Sequence, residues 1–588
     1  MNNNHNRLDE LSKIAVYLPL FGSYVLKNFP SARISACVSV LGIILEYATL
    51  SVMLPLSSIN GKNSNNTTTL IIDLWHTIAS QLGMPNEART WLWLFLLLLG
   101  LRIAIGFAQV SLNTWVSKSI FAHLSAETLS RVIKNEPILN IYRKTIGHYI
   151  ALAGDEAVRL GQVFFHCSQT LSAIISAIIG LVILYLFSPI VFKVTLVFLF
   201  FSGLTLGLSL KYVLSWNSES RVLTRETHTT FIEAFNGIRS IRSMAGEEFV
   251  SERYRKFNNR YGYILFLLDI FTHGSRSLPG LILIVLGLFV MFPTSGFFPE
   301  FSAIYFFTVT TMLIRVLAFL GTAVSSGGRV VIDFRAAFDL EEIIGSSEKH
   351  PASISTGKII SSVPGISISN LSCGYVADHP VLTGITAHMS AGRSYALMGK
   401  SGSGKSTLSD VLLGLLPPMS GNLQIGNLDY QQIDLSSLRR KVVLVEQQTR
   451  IFSDSVRENI AFGLKPTDAE VSLAIETAGL SEFIASLPNG LNTRLDYQGA
   501  NLSGGQRQRI GLARALVRKP DVLILDEATS ALDSHTRDVI LQHLRTLFRD
   551  KILLFITHDT HITRNVDEIW HINKGGLSIE AAAPAVNS

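Results

Sequence analysis

Polar and apolar positions are spread unevenly along the chain, and the unevenness divides it. Between residues 31 and 325 long apolar runs recur. From about residue 345 the pattern changes to short apolar strings separated by Gly-, Ser- and Asp-containing turns, the pattern of a soluble α/β domain. A helix needs about 20 mostly apolar residues to cross a bilayer. Six stretches meet that length: 34–56, 91–115, 163–187, 190–213, 275–293 and 301–324. One such run alone is equally well a buried helix of a soluble protein; six of them predict an all-α transmembrane domain.

The connections orient these spans. The third and fourth are joined by Ser188-Pro189 and the fifth and sixth by PTSGFFPE, whereas 116–162 and 214–274 are long and polar. The first long loop carries Lys118, Arg131, Lys134, Arg143 and Lys144; the second carries Arg221, Arg225, Arg239, Arg242, Arg253, Arg255 and Lys256. Positive charge marks the cytoplasmic side. The N-terminus, with Lys13, Lys27 and Arg33, is then also inside, and 57–90, with only Lys62 and Arg89, is outside. The second long loop has helical spacing broken at Gly237, so helices are expected to continue into the cytoplasm. Residues 70–83 have the pattern of a short amphipathic helix on the outer surface. Asn65 and Asn66 stand in glycosylation sequons, which matter only in a cell that glycosylates there.

Composition supports the division. Hydrophobic residues make up 48% and charged residues 16% of 588, against about a quarter charged in soluble proteins. The formal charge of +6, without a dense basic stripe, argues against nucleic acid as a partner. Cys37, Cys167 and Cys373 stand singly and offer neither a disulfide framework nor metal-ligand spacing. The polar start MNNNHNRLDELSK lacks the layout of a cleavable signal peptide.

The soluble half carries the chemistry. GKSGSGKST, Gly399 to Thr407, fits G-x-x-x-x-G-K-[ST] and lies between an apolar strand pattern (394–398) and a helical one. Gly399, Lys400, Ser401, Gly402, Ser403 and Gly404 form a loop whose backbone N–H groups can approach phosphate oxygens, and the helix start that follows favours anions. Lys405 reaches the outer phosphates and Ser406 can ligate Mg²⁺, with Thr407 closing the motif. VLILDEATSALD (522–533) is an apolar strand ending in two carboxylates. Asp526 stands where a further Mg²⁺ contact is needed, and Glu527 can polarise a water toward the γ-phosphate of ATP.

LSGGQRQR (502–509) sets the family. With the loops above, residues 365–575 resemble the nucleotide-binding domain of an ATP-binding cassette (ABC) transporter. The resemblance implies that Tyr375 stacks on adenine and that Gln447 is the Q-loop glutamine that touches Mg²⁺. It makes Leu502 to Gln506, with Ser503, Gly504, Gly505 and Gln506, the signature motif that meets the γ-phosphate. Ser530 to Asp533 match the D-loop, and His558 matches the switch histidine. DYQG (496–499) departs from the GERG-like turn common in the family, which puts its contacts with the membrane domain in doubt.

Six spans ahead of one cassette resemble a type I exporter half-transporter. The expected organisation is a cytoplasmic segment 1–30, a six-helix transmembrane domain 31–340, a linker 341–364 and an α/β P-loop (RecA-like) ATPase domain 365–588. The family implies coupling helices near Ile138–Tyr142 and His228–Phe235. It also implies pairing, since the phosphate loop of one cassette faces the signature motif of another. With every motif intact, a homodimer is expected, working by alternating access. The single-cassette layout without a targeting sequence favours a bacterial inner membrane.

Charges inside spans usually face the bundle interior or a cavity and mark a pathway. At a helical rise of 1.5 Å per residue, Arg102, Arg315 and Arg276 lie about 17, 21 and 25 Å from the outer face, in a core about 30 Å thick. Glu46 lies near the midplane and can neutralise one arginine, not three. Surplus positive charge suits an anionic amphiphile, and with the outer-surface helix it resembles the lipid-linked oligosaccharide flippases. The alternative cargo is a peptide, drug or other hydrophobic compound.

Overall fold

The apolar runs fold as helices because a backbone in hydrocarbon has to satisfy its own N–H and C=O groups. The computed structural model describes residues 2–52, 55, 66–85, 87–187, 189–291, 303–338, 340, 357–376, 379–528, 530 and 532–581. The chain divides into two compact units. One comprises Met1–Ile133 and Lys144–Lys349; the other comprises Lys134–Arg143 and His350–Ser588.

The first unit is helical. It is built from α1 (Asn2–Asn28), α2 (Pro30–Ser51), α3 (Asn66–Gln81), α4 (Ala88–Asn135), α6 (Ile146–Ala151), α7 (Ala157–Phe187), α8 (Pro189–Asn236), α9 (Ile238–Ser243), α10 (Glu247–Met291) and α11 (Ala303–Phe334); α5 (Ile138–Arg143) belongs to the second unit. Of the six expected spans, 91–115, 163–187 and 190–213 lie within α4, α7 and α8, and 34–56, 275–293 and 301–324 overlap α2, α10 and α11. Among the described residues, four stretches are long and apolar enough to cross a membrane: Pro30–Ser51, Ala88–Asn135, Ile146–Leu186 and Thr311–Phe338. The helices α4 and α8 each have 48 residues and α10 has 45. At 1.5 Å per residue that is about 70 Å, more than twice the hydrocarbon thickness. They therefore run on beyond the bilayer, as the helical spacing of the polar loops predicts.

Two details differ from expectation. His228–Phe235 is not a separate short helix but the last turns of α8, because TTFIEAF continues helix-forming sequence up to Asn236. The break comes at Gly237, and the short element is α9. Between α6 and α7, Leu152–Glu156 forms a π-helical turn, which apolar periodicity does not reveal. The amphipathic pattern at 70–83 is realised in α3, whose Trp75 Nε1 donates to Ser51 Oγ across 3.0 Å. Trp75 packs with Ala79 against Val52 and Trp91. Asn65, the linker stretch 341–356 and the side chain of Arg276 lie outside what the structure describes.

The second unit holds two sheets. One has four strands, β1 (Gly365–Cys373), β2 (Leu382–Ser390), β4 (Ser420–Ile425) and β5 (Leu428–Asp429), in the order β2-β1-β4-β5 and antiparallel throughout. The other has six: β3 (Ser394–Met398), β6 (Val442–Val445), β7 (Val522–Asp526), β8 (Ile552–Ile556), β9 (Glu568–Asn573) and β10 (Gly576–Ala581), in the order β10-β9-β3-β8-β7-β6. Strands β9, β3, β8, β7 and β6 run parallel, and β10 closes the edge antiparallel. The parallel strands read as continuous apolar runs because both faces are covered. Tyr395, Leu397, Ile524, Leu554 and Trp570 pack into one core, while Ala396, Leu523, Leu525, Leu553 and Phe555 pack into the other.

Candidate functional site

In the parallel sheet, β3, β8, β7 and β6 are consecutive neighbours. Each ends in one of the predicted residues: β3 runs into Gly399, β8 precedes His558, β7 ends at Asp526 and Glu527, and β6 precedes Gln447. Sheet topology thus gathers residues far apart in sequence at the carboxyl ends of parallel strands, where α/β folds bind ligands.

After β3 the chain turns through Gly399–Gly404 into α12 (Lys405–Leu412). Gly404 is the residue before the helix and has φ +111°, and a Cβ there would stand 2.5 Å from Leu382 Cδ2. Only glycine fits that corner. Lys400, Ser401 and Gly402 are exposed, Thr407 is buried, and the Ser406 hydroxyl lies in the open at the first turn of α12. Ser403 Oγ is buried and has no hydrogen-bond partner, a donor inside the loop that suits a phosphate oxygen. Lys405 Nζ donates to the carbonyls of Gly399 at 2.6 Å and Lys400 at 3.2 Å, and lies 3.5 Å from His558 Nε2.

The other three strand ends meet around Glu527. Gln447 Nε2 donates to Glu527 Oε2 across 2.5 Å, and His558 Nε2 lies 3.6 Å from Glu527 Oε1. Glu527 sits in the left-handed region at φ +46°. Its N–H donates to Ile556 O at 2.9 Å and its carbonyl accepts from Ser530 N at 3.0 Å. Burial pushes the Asp526 carboxyl up; the adjacent Glu527 charge adds to this and Lys405 opposes it. Negative charge on that corner calls for a cation. Ser406, Gln447 and Asp526 offer oxygen donors, which is the preference of Mg²⁺, and the amide oxygen of Gln447 is left over once its nitrogen bonds Glu527. The donor set fits the ion.

Sequence reasoning missed Gln508. It lies one turn into α13 (Gly504–Val517), is 6% exposed, and donates from Nε2 to the carbonyls of Gln447 and Glu527, each at 3.3 Å. One side chain thus fixes the backbone beneath both residues. Its position within LSGGQRQR was the available signal.

The signature residues stand at the start of α13. Ser503 Oγ accepts from Gln506 N at 3.2 Å, and Gln506 Oε1 accepts from Ser503 N at 2.8 Å, a capping box. The N–H groups of Gly504 and Gly505 remain for an anion. Among the described residues no hydrogen bond or ion pair joins Ser503 or Gln506 to the phosphate loop. Tyr375 packs its ring on the core of the unit and donates from its hydroxyl to Asp410 Oδ2 at 2.5 Å; burial pushes the Asp410 carboxyl up, and this bond opposes it. Asp533 caps α14 (Ser534–Leu547) by accepting from Thr536 N at 2.9 Å. Tyr497, in the DYQG turn, is 73% exposed.

The first unit holds a second constellation. Arg102 of α4 forms an ion pair with Glu46 Oε2, and Arg315 Nε of α11 lies 3.5 Å from Glu46 Oε1. Glu46 therefore faces two arginines rather than the one expected of it. Its side chain is 8% exposed, that of Arg102 24% and that of Arg315 40%. The Arg102–Glu46 pair is one rung of a ladder between α2 and α4: Ser35 Oγ donates to Asn113 Oδ1, and Gln109 Nε2 donates to Ser39 Oγ at 3.0 Å. In every rung the two residue numbers add to the same value, the mark of two antiparallel helices in one register. Beside Glu46, the Tyr47 hydroxyl donates to Ser176 O of α7. A Cβ at Gly180 would meet Val316 Cγ2 at 2.5 Å and the Tyr47 hydroxyl at 2.8 Å. Glycine thus lets α2, α7 and α11 close together at the level of the charges.

Comparison with known proteins covers both units of the chain. Residues 34–317 match the ABC transporter transmembrane region and residues 382–530 the ABC transporter domain. The heterocyst differentiation ATP-binding protein HepA of Nostoc sp. is 30% identical over 484 residues, 80% of this chain and 76% of that protein. An ATP-dependent lipid A-core flippase of Francisella tularensis is 38% identical over 236 residues, 40% of this chain and 38% of the flippase. A bacterial Atm1-family ABC exporter with ATP bound superposes with a TM-score of 0.75, covering 94% of this chain and 95% of that one at 21% identity. The chain belongs to the ABC transporter family, as an exporter half-transporter that fuses a multi-pass membrane domain to one ATPase domain.

Proposed function

We propose that two copies of this chain form an ATP-driven exporter or flippase of an anionic amphiphile, such as a lipid-linked oligosaccharide or other glycolipid, in a bacterial inner membrane. A half-transporter needs a second chain, and every motif of the ATP site is present here, so a homodimer suffices. The observation that carries the cargo reading is the node in the membrane unit. Among the described residues one carboxylate, Glu46, faces two arginines, Arg102 and Arg315, and the surplus positive charge suits an anionic cargo or lipid phosphate. The lipid flippase among the relatives points the same way.

In the ATPase domain, Tyr375 offers its ring to adenine, held in place by its bond to Asp410. The loop from Gly399 to Gly404 wraps the phosphates, and Lys405 neutralises the outer ones. Ser406, Gln447 and Asp526 would hold Mg²⁺, which when bound balances the charge on the β- and γ-phosphates. Glu527 accepts a proton from the attacking water, and His558 holds the water in line. Ser503, Gly504, Gly505 and Gln506 of one copy close the phosphate loop of the other.

The test is ATP-driven movement in proteoliposomes of two fluorescent lipids that share acyl chains, one with a phosphodiester head group and one uncharged. Movement of the charged lipid is expected to exceed that of the neutral one. Equal rates would remove the anionic reading and leave the peptide or drug exporter.

A further inference from the structure

The two arginines at Glu46 are not equivalent. Arg102 belongs to the ladder between α2 and α4, with Ser39–Gln109 and Ser35–Asn113 further along the same seam. The two other rungs hold the backbones of α2 and α4 in register, which keeps Arg102 opposite Glu46. Arg315 comes from a third helix, α11, is nearly twice as exposed, and touches Glu46 at the longer distance of 3.5 Å. A pair at that separation is looser than the Arg102–Glu46 contact. Val316, the next residue of α11, packs at Gly180 of α7 beside the Tyr47 hydroxyl of α2, so Arg315 projects from a closely packed part of its helix.

We propose that Glu46 is an exchangeable counter-ion. It holds Arg315 between transport events, an anionic head group draws Arg315 away from it, and Arg102 stays paired with Glu46 throughout. This rests on the anionic-cargo reading. It divides the labour at that site: Arg315 meets the cargo, Arg102 keeps Glu46 oriented, and Glu46 sets how strongly an anion must compete. An anionic head group offsets the surplus positive charge of the node as it takes Arg315 from Glu46. An uncharged amphiphile gains nothing from this exchange, which makes Glu46 a selectivity filter as well as a partner.

The experiment is equilibrium binding of farnesyl diphosphate to the full-length protein in phosphatidylcholine nanodiscs, with farnesol as the uncharged control. The wild type is expected to prefer the diphosphate. Glu46→Gln removes the competitor and should tighten diphosphate binding about fivefold or more, a change of about 1 kcal/mol, without changing farnesol. Arg315→Gln should abolish the preference, and Arg315→Lys should restore most of it. Arg102→Gln leaves Glu46 to Arg315 alone, so it should weaken diphosphate binding yet keep a residual preference. If Glu46→Gln weakens diphosphate binding, or if Arg315→Gln keeps the preference while Arg102→Gln loses it, the exchange is wrong and the anionic reading stands. If the wild type shows no preference, the anionic reading itself falls and the exchange with it. Arg315→Lys also guards against misfolding, since a variant that keeps the charge should fold wherever Arg315→Gln does.

Discussion

Gln447 Nε2 donates to Glu527 Oε2 across 2.5 Å, joining the ends of β6 and β7 through the group expected to take the proton from water. The same carboxylate has His558 3.6 Å away, and His558 is 3.5 Å from Lys405. Glutamine, glutamate, histidine and lysine therefore form one polar chain along the strand ends. A change at any of them is felt by its neighbours, and single substitutions should not add.

Glu527→Gln keeps the shape and the bond to Gln447 but removes the base. ATP turnover should fall by about 10² to 10⁴, with ATP binding retained. Steady-state phosphate release and nucleotide-binding assays on the reconstituted protein check this; sustained hydrolysis would contradict the assignment.

The backbone of Glu527 supplies a second, opposite effect. A non-glycine residue at φ +46° carries about 1 kcal/mol or more of strain. Glu527→Gly should therefore abolish turnover yet raise the thermal midpoint relative to Glu527→Ala. A lower midpoint for the glycine variant would show that the conformation carries no such cost.

Gln508 acts at one remove, as a positioning residue. Gln508→Leu deletes both donations to the Gln447 and Glu527 carbonyls. We expect kcat to fall about tenfold, the effect of a small displacement of reacting groups, with KM for ATP nearly unchanged. Parallel losses in kcat and thermal midpoint, with kcat per folded molecule intact, would reduce Gln508 to a structural role.

In the membrane unit, Gly180→Val puts side-chain carbon where Val316 and the Tyr47 hydroxyl already stand. Overpacking of this kind typically costs about 1–3 kcal/mol. The thermal midpoint in detergent should drop by several degrees, and Val316→Ala in the same chain should recover part of it. A Gly180→Val chain as stable as wild type would mean that the three helices are not in close contact.

What the sequence disclosed depended on whether the signal was local. The phosphate loop sits between its strand and helix within a dozen residues, so SYALM and GKSGSGKST fixed β3 and α12 with their boundaries nearly right. VLILD announced β7 for the same reason. Gln508 was hidden because its partners, Gln447 and Glu527, are 61 and 19 residues away. The π-helical turn at Leu152–Glu156 leaves no mark in apolar spacing. Ser35, Ser39, Gln109 and Asn113 drew no notice in their apolar runs, because helix packing pairs them across 70 or more positions. Glu46 and Arg102 drew notice as charges, but their shared register with those neutral pairs is a property of two helices at once.

That register has a consequence for how the protein is made. A lone α2 carrying Glu46, or a lone α4 carrying Arg102, meets the translocon with an uncompensated charge, a penalty of about 2.5–3.5 kcal/mol for a charged residue at the centre of a span. Partitioned together as a hairpin, each helix brings the other's counter-ion and hydrogen-bond partners. The hairpin, rather than either helix alone, is then the unit that enters lipid without an unpaired charge.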